Sequence, residues 1–201
     1  MTRVAGVVLA AGASRRLGTA KQLLVDETGQ PLVARAAAQL LEAGCEPVVV
    51  VTGFAHADVA AAVAKLPVDV AFNDEWEEGI GASIRCAVKQ LEGRSGTIIK
   101  AVLFTLCDVP SVSARHLGDI IASSSRLEVR VASEFRSDAG AVVRGIPALF
   151  PREDWPELRE LGGDRGARDL LRAPGTSAVF LSGGGHDLDT PSDLDRWRRD
   201  G

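Results

Sequence analysis

Apolar residues in this chain follow two alternating rhythms. Unbroken or nearly unbroken apolar runs occupy residues 4–10 (VAGVVLA), 47–52 (PVVVVT) and 100–106 (KAVLFTL), with shorter strand-like stretches at 68–72 (VDVAF) and 128–132 (EVRVA). Runs of this length, rich in valine, read as strands buried on both faces. Between them the apolar positions recur at helical spacing. Leu32/Val33, Ala36/Ala37 and Leu40/Leu41 form one face behind Pro31, with Gly44 as the stop. Residues 55–65 form a thin, alanine-rich second helix. Ile80, Ile84, Ala87/Val88 and Leu91 line a third that opens at Gly79. Ser111 or Ser113 caps a fourth, which runs to about Ile121. Strands alternating with helices predict a mostly parallel sheet covered on both faces, an α/β fold with three layers and right-handed crossovers.

The rhythm breaks at residues 139–150. There AGAVV, then RG, then IPALF predict two short strands close together, as a small antiparallel insertion or edge. Helical segments follow at 151–161 and 166–172, and then a strand at 177–181. Gly183, Gly184 and Gly185 form a flexible turn, and residues 93–96 a loop. The last helix starts at Thr190, with Pro191 at its first position and Asp193 at its third, close to a capping box. Repeats and linkers are not evident, so residues 1–201 read as one domain.

Composition narrows the class. Hydrophobic residues make up 46% and charged residues 25%, the balance of a globular protein. A net charge of −4 argues against a general nucleic-acid binder and leaves room for a local phosphate site. No apolar run is long enough to span a membrane, and the chain enters a strand at once, without a signal-peptide pattern. The expected location is cytoplasmic. Three cysteines (Cys45, Cys86, Cys107) without a CxxC pair disfavour a disulfide framework or a structural zinc site. His56, His116 and His186 are scattered, and no nucleophile signature accompanies them.

The candidate chemistry begins where the first strand ends. Gly12 and Gly18 bracket a loop of small residues that also carries Arg15 and Arg16, with Lys21 just beyond. Small residues let backbone N–H groups approach phosphate oxygens, and three cations suit a triphosphate. The loop lacks the lysine placement of GxxxxGK[ST] and the helix entry of GxGxxG. A strand-to-helix turn with surface arginines is the alternative. Asp108 ends the central strand in LCDVP, where a carboxylate suits Mg²⁺ bound to substrate phosphates; it could equally cap the next helix. Asp189, in HDLDTP, could bring a second carboxylate or be a solvated turn acid. The WEEGIGAS stretch, with Gly79 and Ser83, suits ribose or base contact but also reads as a plain helix N-terminus. LGGDRGAR, residues 161–168, is a mobile lid or a surface loop.

Taken in order, LAAGASRRLGTAKQLL, WEEGIGAS, LCDVP, RGIPALFP, LGGDRGARDLL and DLDTPSDL resemble the molybdenum cofactor nucleotidyltransferases over about residues 4–197. These lie within the larger nucleotide-diphospho-sugar transferase type. The double alanine of Ala10 and Ala11 is most similar to the branch that joins CTP to molybdopterin. Leu17 stands where methionine is usual, a volume-conserving change. The resemblance implies a Rossmann-like α/β/α fold and a Mg²⁺-dependent transfer of CMP from CTP to the phosphate of molybdopterin. It implies that Gly12, Arg16, Gly18 and Lys21 form the triphosphate loop, and that Leu9, Ala10 and Ala11 meet the base through their backbone. Gly79 and Ser83 would face base and ribose, Asp108 and Asp189 the metal, and Asp164 and Arg168 the acceptor. A molybdoenzyme is a further possible partner. Two alternatives are a non-catalytic molybdenum cofactor chaperone and an oxidoreductase on the same fold.

Overall fold

A computed structural model describes residues 3–95, 98–137, 140–184 and 186–200, and all of these except Arg165 and Asp200 in side-chain detail. Seven strands, β1 (Arg3–Ala10), β2 (Val48–Thr52), β3 (Asp69–Phe72), β4 (Ile99–Leu106), β5 (Val131–Arg136), β6 (Val142–Pro151) and β7 (Ser177–Phe180), form one sheet in the order β3-β2-β1-β4-β6-β5-β7. All neighbours are parallel except the two pairs that involve β6. The helices are α1 (Leu32–Glu42), α2 (His56–Val63), α3 (Ile80–Glu92), α4 (Ala114–Ser123), α5 (Trp155–Arg159), α6 (Arg168–Arg172) and α7 (Pro191–Asp200). None is long and apolar enough to cross a membrane.

The sheet separates two cores. Val4, Val8 and Ala10 of β1 pack with α1, α2 and α4 on one side. Ala5, Val7 and Leu9 pack with α3, α5 and α6 on the other. This is the three-layer α/β arrangement that doubly buried valine runs dictate. Gly44, at φ +85°, ends α1 in the left-handed conformation that glycine favours. At the last helix the capping box is complete. Thr190 N–H donates to Asp193 Oδ2 at 2.9 Å, and Asp193 N–H to Thr190 Oγ1 at 3.3 Å.

Two expectations are corrected. The two strands predicted within 139–150 are one strand, β6, and it lies inside the sheet between β4 and β5 rather than at an edge. The Gly-Ile-Pro interruption is absorbed by an irregularity: Ala132 pairs with Ala148 but Ser133 with Gly145. Ser133 Oγ donates to the Pro147 carbonyl at 2.7 Å inside that irregularity. The strand expected at 128–132 begins at Val131, because Ser125–Leu127 forms a 3-10 turn first. There Ser124 Oγ donates to the Val129 carbonyl at 2.6 Å. Parts of the loops expected at 93–96 and 183–185, Gly96 and Gly185, lie outside the described residues, as does Ala139.

His116, on α4, is buried, with Nε2 2.8 Å from Ser133 Oγ. Because that hydroxyl already donates to Pro147, Nε2 carries the proton. Burial pushes the His116 pKa below its ordinary value, against a smaller upward pull from Asp119. The unfolded chain therefore takes up a proton at a higher pH than the folded one. Stability from this group is complete above the ordinary histidine range and is lost as pH falls through it toward the folded-state value. Urea unfolding at pH 7.5 and 5.5 should show a smaller acid loss in His116→Gln than in the wild type; equal losses would contradict the assignment.

Candidate active site

The C-terminal ends of β1, β2 and β4 point to one rim of the sheet, where ligands bind in open α/β folds. A cleft of about 390 Å³ lies there, and it brings together Leu9, Ala11, Gly12, Lys21, Gly79, Ser83, Asp108 and Asp164 from five segments of the chain. The loop after β1 is shaped by residues that the motif reading passed over. The Ser14 carbonyl accepts the N–H groups of Leu17 at 3.0 Å and Gly18 at 3.2 Å. Ser14 Oγ accepts Lys21 N–H at 3.2 Å. Gln22, only 2% exposed, donates Nε2 to the carbonyls of Ala10 at 3.0 Å and Gly12 at 2.6 Å. The lone polar residue between Lys21 and the apolar Leu23-Leu24 is the trace of this role in the sequence. A Cβ on Gly12 would meet nothing within 4 Å, so the loop faces open space above it.

The other wall is a close contact between two glycine stretches. Gly79 has φ +108°, and a Cβ there would strike the Asp164 carboxylate and the Gly163 carbonyl carbon, the latter at 2.9 Å. A Cβ on Gly81 would lie 2.9 Å from the carbonyl carbon of Gly162. The expected lid or surface loop at 161–168 thus rests on the first turn of α3, an approach that only glycine permits. Arg85 braces it by donating to the Leu161 carbonyl at 2.6 Å and to Glu75 and Glu78 at 2.8 Å each. Ser83 Oγ accepts from Asn73 Nδ2 at 3.2 Å, which leaves its own proton free to donate into the cleft.

At the centre stands Lys21. Its ammonium contacts Asp108 Oδ2 and lies 2.9 Å from Asp189 Oδ1. A backbone bond from Leu188 N–H to the Asp108 carbonyl, 2.9 Å, pins the 186–189 segment beside the end of β4. Burial opposes the Lys21 charge, but the attraction and hydrogen bonds of Asp108 and Asp189 outweigh it and hold the ammonium protonated far above the ordinary lysine range. Burial also pushes the Cys107 thiol up, with a further push from Asp108, and raises Cys45 to about 12. Both stay protonated and are poor nucleophiles.

The remaining predicted residues lie outside this cleft. Ala10 is buried and points into the opposite core. The Arg16 side chain is 76% exposed and reaches Asp189 Oδ2 at 3.1 Å, whereas Arg15 lines the cleft. Gly18 flanks a neighbouring hollow with Phe54 and Trp76. Arg168 lines a second cavity of about 150 Å³, with Arg144, and Asp164 faces both spaces.

A divalent ion fits the acidic pair. Asp108 Oδ1 is buried and has no hydrogen-bond partner, so the ammonium satisfies only one of its oxygens. Among the described residues no cluster of three or more His, Cys, Asp or Glu side chains is placed to hold a metal. Two carboxylates completed by phosphate oxygens and water suit a divalent ion bound with substrate rather than a resident structural ion.

Comparison with known proteins shows the family. The MobA-like NTP transferase domain matches residues 6–179. The chain is 34% identical to nicotine blue oxidoreductase of Paenarthrobacter nicotinovorans over 173 residues, 84% of this chain and 81% of that one. It is 32% identical to the purine catabolism protein PucB of Bacillus subtilis, covering 96% and 95%. The structure of Rv0371c from Mycobacterium tuberculosis superposes with a TM-score of 0.80 at 29% identity over 98% of each chain. Its complex with manganese gives 0.78 at 27% identity over 100% of each. The chain belongs to the MobA-like NTP transferase family and is a nucleotidyltransferase.

Proposed function

We propose that this chain, a single domain working in the cytoplasm, transfers CMP from CTP to the phosphate of a molybdopterin-type acceptor and releases pyrophosphate. The observation that carries this reading is the meeting of Lys21, Asp108 and Asp189 beside the glycine loop. The backbone of Leu9 and Ala11, with Gly79 and Ser83, lines the space for base and ribose. Ala10 contributes through its strand-end carbonyl, which Gln22 holds in place. Gly12 and Gly18 leave room for the triphosphate, while Arg15, Arg16 and Lys21 neutralise it.

The acceptor phosphate attacks the α-phosphorus in line as the bond to the pyrophosphate oxygen breaks. Positioning and charge stabilisation account for most of such chemistry. Asp108 and Asp189 would hold Mg²⁺, which when bound supplies charge neutralisation at the phosphates. Lys21 and Arg16 stabilise the negative charge that builds on the leaving pyrophosphate. An ionised phosphate acceptor needs no general base. The second cavity, lined by Arg144 and Arg168 and by the apolar Phe135, Val109 and Ile146, suits the acceptor. Arg144 is held there by Glu134 at 3.2 Å and the Thr176 carbonyl at 3.2 Å. Asp164 stands between the two spaces, placed to orient one substrate against the other.

Pyrophosphate release measured with each of the four nucleoside triphosphates, with and without molybdopterin, tests the reading. Release should require CTP, the acceptor and Mg²⁺, and stop with a chelator. Release with none of the four would overturn it. Asp108→Asn should lower kcat by about a hundredfold or more while the far-UV circular dichroism is retained. Turnover at the wild-type rate would remove Asp108 from the mechanism.

A second reading comes from the relative named as an oxidoreductase: a redox enzyme on this fold that binds a dinucleotide in the same cleft. Fluorescence titration separates the two. Saturable binding of NADPH in competition with CTP would favour the second reading, and binding of CTP alone the first.

A further inference from the structure

Lys21 is a loop lysine that lines the cleft, yet its ammonium is already engaged by two carboxylates. It spans the two carboxylates, which come from positions 87 and 168 residues further along the chain. Since both carboxylates touch one nitrogen, they are forced within two contact lengths of each other. Two carboxylates so close repel each other, and a cation between them offsets that repulsion. The Lys21 side chain is 19% exposed, so water screens this contact poorly. Arg16 shields only the outer oxygen of Asp189, from a position that is 76% exposed.

We infer that Lys21 has two stations: without metal its ammonium is the counter-ion of the Asp108–Asp189 pair, and it yields that place to a divalent cation when it swings to the triphosphate. This deepens the transfer reading and rests on it. Three observations support the exchange. Asp108 keeps one buried oxygen with no partner, which a single ammonium leaves unmet and a cation of higher coordination could engage. Lysine is a point charge on a flexible four-carbon stem, suited to change partners without rebuilding the backbone. The loop beside it is open, because a Cβ on Gly12 or Gly18 would meet nothing within 4 Å.

The consequence is coupling. In the free protein a metal ion must displace a cation already in place, so it binds weakly. With a triphosphate present the displaced ammonium gains new partners. Metal and nucleotide therefore favour each other, and by linkage each raises the affinity of the other by the same factor.

Electron paramagnetic resonance of free Mn²⁺ tests this on the full chain, with and without a non-hydrolysable CTP analogue. In the wild type, the analogue should tighten Mn²⁺ binding about tenfold or more. Lys21→Met should bind Mn²⁺ about tenfold more tightly than the wild type without nucleotide, and should lose most of the coupling. Lys21→Arg, which keeps a cation that can bridge carboxylates, should stay weak. Mn²⁺ binding in Lys21→Met no tighter than in the wild type would overturn the exchange. So would wild-type binding equally tight with and without the analogue, a comparison that needs no variant. The heat-unfolding midpoint adds a second readout: Mn²⁺ should raise it more in Lys21→Met than in the wild type. Failure of Mn²⁺ to bind the wild type even with the analogue would instead overturn the metal-dependent transfer reading itself.

Discussion

The site depends on one electrostatic constraint: a mostly buried ammonium held between two carboxylates. Asp108 lies two residues beyond the end of β4, Asp189 follows β7 by nine residues, and Lys21 comes from the first loop. None of the three could be buried alone without a large desolvation penalty. Together they largely offset one another's charge, with Arg16 against the more exposed Asp189. The pairing also explains why the far end of the chain returns to β4. The Leu188 bond to the Asp108 carbonyl and the capping box at Thr190 deliver Asp189 to the ammonium and then start α7.

A steric constraint shapes the rest of the cleft. The start of α3 and residues 162–164 approach so closely that side chains at Gly79 and Gly81 would collide with the opposite backbone. That contact joins the wall lined by Ser83 to the segment that carries Asp164 and leads into Arg168. It puts the space suited to a nucleotide next to the cavity suited to an acceptor. Two substrates that meet in line need such adjacency, and here it comes from missing Cβ atoms rather than from an added domain.

Much of this was legible in the chain. Valine runs such as 48–51 must be buried on both faces, so the parallel sheet and its two helical layers followed from pattern alone. Strand-end placement brought Asp108, Gly12 and Gly79 to one rim, because successive parallel strands end on the same side. What escaped depended on contacts across long sequence distances. Gly145, Ile146 and Pro147 look like a break between two strands, yet Ser133, from the neighbouring strand, satisfies the irregular backbone and lets β6 run on. Gln22 is an ordinary polar residue until the loop folds its amide onto two carbonyls. Arg15 and Arg16 cannot be told apart by spacing, but the turn at Ser14 sends Arg15 to the cleft and Arg16 to Asp189. The ammonium at the centre reads as a phosphate ligand in sequence and bridges two carboxylates in the fold.

Everything proposed for the cleft turns on where a metal ion and Lys21 sit when nucleotide is bound. Anomalous diffraction from crystals soaked with Mn²⁺ and a non-hydrolysable CTP analogue measures both positions at once. The predicted result is one strong peak held by the carboxylates of Asp108 and Asp189 and by phosphate oxygens, with the Lys21 ammonium turned onto the triphosphate. A nucleotide-filled cleft in which Lys21 still bridges the two carboxylates, with the ion bound elsewhere or not at all, would contradict it.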